Sequence, residues 1–468
     1  MARPCRPCRA PWISSFALLA AVTLSLGACK TTPQSDTAGD AGGGDTIVVV
    51  EPEVIEPVFT EDSANFVADP ITGINEPAYG DPNPSARRVA LLLPLSGASS
   101  GLGHDLLDAA TLALFDIGST GIELVVADTQ GTAEGAAMAA QLVLAADPDL
   151  IVGPLFSHSV SAAAPVARQA GINMIALSSD LAVAEPGVYV LGIAPEDQVE
   201  RVVAHAANQG HLRFAVLAPQ TRFGQRMVVA MEEAVARVGG TVTARAFYNP
   251  DGLGIDDSVK ELTAYPARQA DLEAQIAELR LRGDEVSLAA IERLQDEDAI
   301  GVMAFDALLV PESGSLLRQL SAYLGYYDVN PGQTRLLGLA SWNDPTLIRE
   351  PVMKGAWFAS TPDTSRAWFT DRFIGAYDGD PTRLATLAYD AMALAAALTS
   401  SGAQGDFSER AITDWRGFSG VDGLFRFEDD GKPERGLAVM EISTTGVVVV
   451  DPAPTSFEPP AVSMLVSE

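Results

Sequence analysis

Residues 87–103 read Arg-Arg-Val-Ala-Leu-Leu-Leu-Pro-Leu-Ser-Gly-Ala-Ser-Ser-Gly-Leu-Gly, and the expected fold class follows from this segment. Its continuous apolar run, Val89–Leu93, predicts a strand that is buried on both faces. The glycines that follow predict a turn, after which Leu107, Ala110 and Leu114 recur at helical spacing. A buried strand, a turn and a helix form the first half of a βαβ unit, which implies a parallel sheet.

The same alternation of short apolar runs and helical segments continues along the chain in two series. Further strands of the first series are predicted at Ile122–Ala127, Leu150–Val152, Ile172–Leu177 and Val188–Leu191. Strands of the second series are predicted at Phe214–Leu217, Val242–Phe247, Ala307–Val310 and Leu336–Leu339. One lobe of this kind takes about 100–200 residues, so the sequence predicts an α/β protein of two lobes.

A charged insertion, about 257–298, interrupts the second series. Its apolar residues recur at helical spacing, and they are Leu272, Ile276, Leu279, Leu288, Ile291 and Leu294. The pattern predicts two amphipathic helices on either side of Gly283. Two interpretations stay open for this insertion: a solvated surface excursion, or a surface on which a partner docks.

The first 28 residues have the composition of a secretory signal peptide. Arg3, Arg6 and Arg9 precede the apolar run 12–26, which is shorter than the about 20 residues that a membrane-spanning helix needs. The run ends in Leu-Gly-Ala-Cys at residues 26–29, and small residues before a cysteine are typical of a lipoprotein cleavage site. We therefore expect residues 1–28 to be a lipoprotein signal peptide and Cys29 to carry the lipid.

Two segments outside the series are predicted to lack a core of their own. Residues 29–86 are rich in Gly, Pro, Ser, Thr and acidic residues, which predicts a lipidated N-terminus followed by a disordered tether. Residues 451–468 contain several prolines and are predicted to form a flexible tail.

The charge and the cysteine count exclude several classes of function. The chain has 30 Lys and Arg against 61 Asp and Glu, and loss of the three signal-peptide arginines leaves 27 − 61 = −34. Such an acidic protein is not expected to bind nucleic acid or to adsorb to anionic headgroups, so the lipid alone would attach it to the membrane. Cleavage before Cys29 removes two of the three cysteines, which leaves no disulfide framework and no cysteine-based metal site.

The sequence also argues against an enzyme. Residues 97–101, Gly-Ala-Ser-Ser-Gly, match the nucleophile elbow of hydrolases, but no histidine follows His211 to complete a triad in that order. Residues 93–103 resemble the glycine-rich turn of short-chain dehydrogenases, but none of the four lysines follows a tyrosine at the spacing which that family needs. We expect no catalytic residue, no metal site and no cofactor.

Five segments, in chain order, resemble the ligand loops of one family. They are Leu93–Gly97 with the glycines after it, Val152–Ser157, Ile175–Asp180, Ala218–Gly224 and Gly420–Phe427. Together they make residues 87–450 similar to a type I periplasmic binding protein of the leucine-binding kind. The resemblance implies two Rossmann-like lobes with parallel sheets, joined by three crossovers, with the ligand cleft between them.

The family topology also implies where each lobe begins and ends. Lobe one is expected at 87–194 plus 343–415, and lobe two at 195–342 plus 416–450, with the helical insertion in lobe two.

Within that family the chain is most similar to the penicillin-binding protein activator lipoproteins, through its Leu-Pro-Leu-Ser-Gly opening, its Gly-Pro-Leu-Phe segment, its charged insertion and Cys29. This resemblance implies a regulator of peptidoglycan synthesis on the periplasmic face of the outer membrane, with a peptidoglycan synthase as partner. The well-understood relatives carry a helical-repeat domain before the binding-protein domain, where this chain has residues 30–86. The alternative is a solute-binding lipoprotein of an amino-acid-type ABC transporter.

If the cleft binds a small polar ligand, hydroxyls and backbone amides at the strand ends are expected to hold it. In amino-acid-binding relatives, hydroxyl residues of lobe one hold the ligand carboxylate and an acid of lobe two holds its ammonium. The second-lobe tyrosine of those relatives corresponds to Phe223, which lacks the hydroxyl. The candidate ligand-binding residues are Ser96, Gly97, Ser157, Ser178, Ser179, Thr221, Phe223 and Glu312.

The first prediction concerns the anchor. We expect Cys29→Ala to abolish membrane attachment and to leave the precursor uncleaved, because lipid on this thiol is required for cleavage. The measurement is membrane fractionation, with the size of the product read on the same gel. A mature Cys29→Ala protein that still fractionates with membranes would refute the lipoprotein assignment.

Overall fold

The computed structural model of the chain describes residues 86–119, 121–361, 363–400 and 406–458. The predicted signal peptide 1–28, Cys29, residues 29–85 of the predicted tether and residues 459–468 of the predicted tail lie outside the described residues.

Lobe one is built on a sheet of five parallel strands in the order β2-β1-β3-β4-β5. Its strands and helices are β1 (Arg87–Leu93), α1 (Ser100–Ile117), β2 (Ile122–Asp128), α2 (Ala133–Leu144), β3 (Leu150–Val152), α3 (Ser157–Ala170), β4 (Met174–Ala176) and β5 (Val188–Val190).

Strand β1 is buried on both faces, as its apolar run predicts. Val89, Leu91 and Leu93 pack into the core beneath α1, whereas Ala90 and Leu92 pack against α2 and α3. All five side chains are fully inaccessible to solvent. Because successive side chains of a strand point to opposite faces, a buried central strand has to be apolar at every position.

Lobe two follows and contains the larger sheet, of seven strands in the order β15-β14-β10-β9-β8-β6-β7. Its first segment comprises α4 (Pro195–Asn208), β6 (Arg213–Pro219), α5 (Arg222–Arg237), β7 (Thr241–Tyr248), α6 (Ile255–Leu262), α7 (Tyr265–Arg282), α8 (Glu285–Leu294), β8 (Ala307–Leu309), α9 (Gly314–Tyr326), β9 (Arg335–Gly338) and β10 (Trp357–Ser360).

The remaining elements are divided between the lobes. They are α10 (Asp363–Tyr377), α11 (Ala385–Ser400), α12 (Glu409–Ile412), β11 (Phe418–Gly420), β12 (Gly423–Phe427), β13 (Pro433–Arg435), β14 (Ala438–Ile442) and β15 (Val447–Asp451). Helices α10 and α11 cover lobe one, and β14 and β15 add two antiparallel strands to the sheet of lobe two.

The chain therefore crosses between the lobes three times: after β5, after β10 and between β13 and β14. Two α/β lobes with parallel sheets and three crossovers confirm the predicted fold class. Among the described residues, no helix is long and apolar enough to span a membrane.

Two of the expected lobe boundaries are corrected by the sheets. Strand β10 pairs with β9, so residues 343–360 belong to lobe two and not to lobe one. Conversely, β11, β12 and β13 form a small sheet whose Val421, Phe425 and Phe427 lie in the core of lobe one, so residues 416–435 do not belong to lobe two. In both places the assignment follows from the core in which the apolar side chains are buried.

The insertion contains the two predicted helices, α7 and α8, on either side of Gly283, whose φ of 64° ends α7 in a left-handed turn. A third helix, α6, precedes them and buries Ile255, Val259 and Leu262 in the core of lobe two. Thus the first part of the insertion belongs to the lobe, and only α7 and α8 project from it.

The predicted flexible tail is also corrected at its start. Asp451 ends strand β15 and accepts hydrogen bonds from the side chains of His205 and Arg201. Phe457 is buried beneath the Arg426 guanidinium, 4.5 Å from its ring centroid. The described start of the predicted tail is therefore attached to the lobes through Asp451 and Phe457.

In each lobe, one close approach fixes the helix that follows the first strand against the end of that strand. In lobe one a side chain at Gly103 would overlap the backbone carbonyl of Pro94. In lobe two a side chain at Gly224 would overlap the carbonyl of Pro219 in the same way. Only glycine lets each helix approach the end of its strand this closely.

We predict that Gly103→Ala lowers the free energy of unfolding by about 1–3 kcal/mol, since the backbone must move to admit the methyl group. The matched control is Gly101→Ala, two residues earlier on the same helix, where a Cβ meets nothing within 4 Å. That variant should gain about 0.5–1 kcal/mol from reduced chain entropy. Urea unfolding of both variants tests the argument, and equal stabilities would contradict it.

Candidate functional site

A cleft of about 820 Å³ lies between the lobes. It is lined at the carboxyl ends of four strands, where residues 155–157 follow β3, 177–180 follow β4, 311–313 follow β8 and 339–341 follow β9. This is the edge at which open parallel sheets bind their ligands. Further lining comes from α5 and from the segment that contains α10 and α11.

Five of the eight residues expected from the sequence to contact a ligand line this cleft: Ser157, Ser178, Ser179, Phe223 and Glu312. The other three, Ser96, Gly97 and Thr221, are absent from its lining.

The segment Ser96–Gly97 instead stabilises the turn between β1 and α1. One oxygen of Asp128, Oδ1, accepts hydrogen bonds from the backbone amides of Leu95 (2.9 Å), Ser96 (3.2 Å) and Gln130 (2.7 Å). Burial acts to raise the pKa of Asp128, but hydrogen bonds led by the Ser96 hydroxyl outweigh it and lower the pKa. Gly97 has a φ of 77°, which favours glycine at this turn.

Thr221 is the N-cap of α5. Its Oγ1 accepts a hydrogen bond of 3.1 Å from the amide of Gly224 and thereby satisfies one of the free amides at the start of the helix. A hydroxyl directly after a strand can therefore cap the next helix instead of facing the cleft.

The loop after β4 is the most constrained part of the cleft wall. The Ser178 hydroxyl is almost fully buried and accepts a hydrogen bond of 3.1 Å from the amide of Asp180. The carbonyl of Ser178 accepts a bond of 2.9 Å from the amide of Gly192, in the first crossover. Ser179, which lies between Ser178 and Asp180 in the sequence, is exposed to the cleft.

Glu312 is held in the opposite wall by two hydrogen bonds. Its Oε2 accepts a bond of 2.6 Å from the Tyr248 hydroxyl, and its Oε1 accepts a bond of 2.9 Å from the amide of Ser313. Burial and the neighbouring Glu312 carboxylate both raise the pKa of Tyr248, so the phenol stays protonated and keeps donating. The orientation of this carboxylate is thus fixed by the protein itself.

Aromatic rings face the cleft from both lobes. Phe156 of lobe one stacks on His158 with ring centroids 5.6 Å apart, and Phe223 of lobe two is 36% exposed. Together with leucines on both walls they supply apolar surface among the polar groups of the lining, a combination typical of small-molecule sites.

Sequence reasoning missed the polar groups at the base of the cleft, Arg366 and Asp422 among them. The Arg366 guanidinium donates to Asp422, which also accepts a hydrogen bond of 2.6 Å from the Thr386 hydroxyl. Behind them, Asp390 accepts bonds from the amides of Val421 (2.6 Å) and Asp422 (3.1 Å). Burial, followed by the charge of Asp422, raises the pKa of Asp390 to about 7.

One of these residues carried a signal in the sequence. Asp422 lies within the segment 420–427 that carries the family resemblance, and its carboxylate is the only charge between the two glycines. Arg366 had no such signal, because α10 is separated from the other cleft segments along the chain and contains charged residues all round.

This arrangement suits binding. Hydroxyls, backbone amides, two arginines and carboxylates line the cleft together with apolar side chains, so both signs of charge on a small ligand would find a partner. The described partner of the Ser178 hydroxyl is a backbone amide, and a serine nucleophile requires a base within hydrogen-bonding distance.

Comparison with known proteins agrees with this geometry. Residues 87–446 match the family model described as "Periplasmic binding protein". The penicillin-binding protein activator LpoA of Photobacterium profundum is 33% identical over 156 residues, which are 32% of this chain and 25% of that protein. The matched part is thus about a quarter of that relative's length.

Two solved structures have the same fold at low identity. One is a putative branched-chain amino acid ABC transporter from Rhodospirillum rubrum, with a TM-score of 0.62 and 18% identity, covering 78% of this chain and 100% of that one. The other is the C-domain of LpoA from Haemophilus influenzae, described as a regulator of PBP1A, with a TM-score of 0.54 and 19% identity, covering 78% and 99%. Because the family model spans residues 87–446, most of the chain, this protein belongs to the periplasmic binding protein family.

Proposed function

We propose that this chain is a lipid-anchored envelope protein that regulates peptidoglycan synthesis by docking on a penicillin-binding protein, without catalysing a reaction itself. The similarity to penicillin-binding protein activators motivates the proposal. The observation that carries it is a group of exposed apolar side chains at the turn between α7 and α8, called the tip below. These side chains are not part of the core of either lobe.

The tip consists of three aliphatic side chains around the turn between α7 and α8. Leu281 is 90% exposed, Val286 77% and Leu288 58%. Single exposed apolar residues are common on protein surfaces, but three within the eight residues 281–288 of one projection are typical of an interaction site.

The base of this projection is anchored firmly on lobe two. Tyr265 and Tyr327 contact each other edge to face, with ring centroids 4.7 Å apart. Arg268 donates to the Asp328 carboxylate (2.8 Å) and to the carbonyl of Ile300 (3.2 Å). An apolar tip on a rigid base loses little conformational entropy when it docks, which favours binding.

The proposed location is the periplasmic face of the outer membrane, with lipid on Cys29 as the anchor and residues 30–86 as the tether between the lipid and lobe one. A coil of this length has a root-mean-square reach of about 40 Å. The tip could therefore meet a partner at some distance from the anchoring membrane.

A second candidate function is that of a solute-binding lipoprotein for an ABC transporter. The cleft favours it, because about 820 Å³ lined by Ser157, Ser178, Ser179, Phe223 and Glu312 is large enough for an amino acid or a small peptide fragment. The two functions are compatible, since a ligand in the cleft could change the position of lobe two, which carries the tip.

We predict that Leu281→Ser combined with Leu288→Ser lowers capture of the partner at least about tenfold, because burial of one leucine side chain contributes about 1.5–3 kcal/mol and about 1.4 kcal/mol is tenfold in affinity. The acylated protein is used to capture partners from detergent-solubilised envelope, and the captured proteins are labelled with a fluorescent penicillin.

The matched control is Met138→Ser combined with Leu142→Ser, two aliphatic residues that are 57% and 69% exposed on α2 of lobe one. The control should capture as much labelled protein as the wild type. Docking by the tip is refuted if neither the wild type nor the control variant captures a penicillin-labelled protein. It is also refuted if the tip variant and the control variant capture equal amounts.

For the cleft, we predict that a ligand raises the melting temperature, by mass action, and that Ser178→Ala reduces the rise. The ligands to be tested are free amino acids and muropeptide fragments, and a concentration about 100 times the Kd stabilises by about 2.7 kcal/mol. Ser419→Ala, at an exposed serine outside the cleft lining, is the control. Absence of any thermal shift with either class of ligand would contradict a binding role.

A further inference from the structure

Arg226 on α5 connects the two lobes beside the cleft. Its Nη1 lies 3.2 Å from Oδ1 of Asp180, which belongs to the loop after β4 in lobe one. Its Nη2 and Nε lie 2.7 and 2.8 Å from Oε1 of Glu196, at the start of α4. One guanidinium thus binds a carboxylate of lobe one and a carboxylate at the first crossover.

The Asp180 loop is also part of the cleft wall. Ser178, Ser179 and Asp180 are consecutive and all line the cleft. The hydroxyl of Ser178 accepts a hydrogen bond from the amide of Asp180, so a displacement of the serine displaces the aspartate. This short segment therefore lines the cleft and, through Asp180, binds Arg226.

The pivot for a movement of the lobes lies elsewhere. Arg435, at the end of β13, donates to the carbonyl of Leu191 and thereby joins the third crossover to the first. Arg226 and Asp180 are outside these crossovers, on the two bodies that would turn about them. A rotation about the crossovers consequently changes the distance between these two side chains.

We propose that the ion pair between Arg226 and Asp180 is a latch that holds the lobes at the angle seen here, with Arg226 as the positioning residue and the Ser178–Asp180 loop as the element through which a cleft ligand acts on it. Glu196 keeps the guanidinium in place when Asp180 moves away. This inference goes beyond the proposed function and does not depend on the partner.

The latch has a limited strength, which suits a device that must open. The two side chains are 37% and 32% exposed, and partly exposed ion pairs contribute little to stability. Removal of the pair should therefore change the ratio of open to closed lobes about 2- to 5-fold and should leave each lobe folded.

The test measures the distance between the lobes by pulsed electron spin resonance. The full chain has three cysteines, Cys5, Cys8 and Cys29, which are replaced by serine. Spin labels are then attached at Gln141→Cys on α2 and Ala322→Cys on α9, both exposed positions. Arg226→Gln should shift the distance distribution towards more open lobes, and Asp180→Asn should shift it in the same way.

The control is Arg222→Gln, which removes the same charge one turn earlier on α5. Among the described residues, Arg222 takes part in none of the ion pairs. The double variant Arg226→Gln with Asp180→Asn should equal either single variant, since each breaks the same pair. About 1 M salt should shift the distance distribution of the unmodified protein towards that of the variants, because the screening length is then about 3 Å.

Rescue separates the latch from a general structural effect. Arg226→Lys keeps the charge and should restore most of the closed population. The latch is overturned if Arg226→Gln and Arg222→Gln give the same distribution, or if the effects of Arg226→Gln and Asp180→Asn add. Neither result would bear on capture of a penicillin-binding protein by the tip.

Discussion

The position of one lobe relative to the other depends on a hydrogen bond donated by the buried guanidinium of Arg435. This guanidinium lies where the third crossover meets the first and donates to the carbonyl of Leu191, and it forms a cluster with Asp422, Asp390 and Asp197, whose charges act on it. Burial lowers the pKa of Arg435, and these three negative charges oppose that change, led by Asp422. The hydrogen bond from Arg435 to Leu191 thus joins two of the three crossovers directly.

The cleft is built outward from this cluster. Asp422 extends from it to the base of the cleft, where it binds Arg366, and Leu191 leads directly to Gly192, which binds the Ser178 loop. Hydrogen bonds thus connect this cluster to the base of the cleft and to the loop after β4 in its wall.

The sequence predicted well wherever a segment carries its own signal. Strand β1 has a continuous apolar run, and α7 and α8 have helical spacing, so each could be assigned without knowledge of its neighbours. The short strand Trp357–Ser360 carries no information on which sheet receives it, and this is why the second crossover was expected too early.

The residues predicted for the candidate site fall into two groups, those that face the cleft and those that do not, for a similar reason. Serines after β3 and β4 face the cleft, whereas Ser96 and Thr221 occupy equivalent sites after their strands but serve a turn and a helix cap. A hydroxyl after a strand can do either, and the sequence does not distinguish the two. Arg366 could not be found at all, because its cleft position follows from the packing of α10 and not from its neighbours in sequence.

The order of the strands in lobe two has a consequence for biogenesis. Strand β14 pairs with β10 although the two are far apart along the chain, and until Ala438–Ile442 have been synthesised, the apolar edge at Trp357–Ser360 has no cover. A ribosome-bound chain therefore cannot complete this sheet while its C-terminal strands are still unmade.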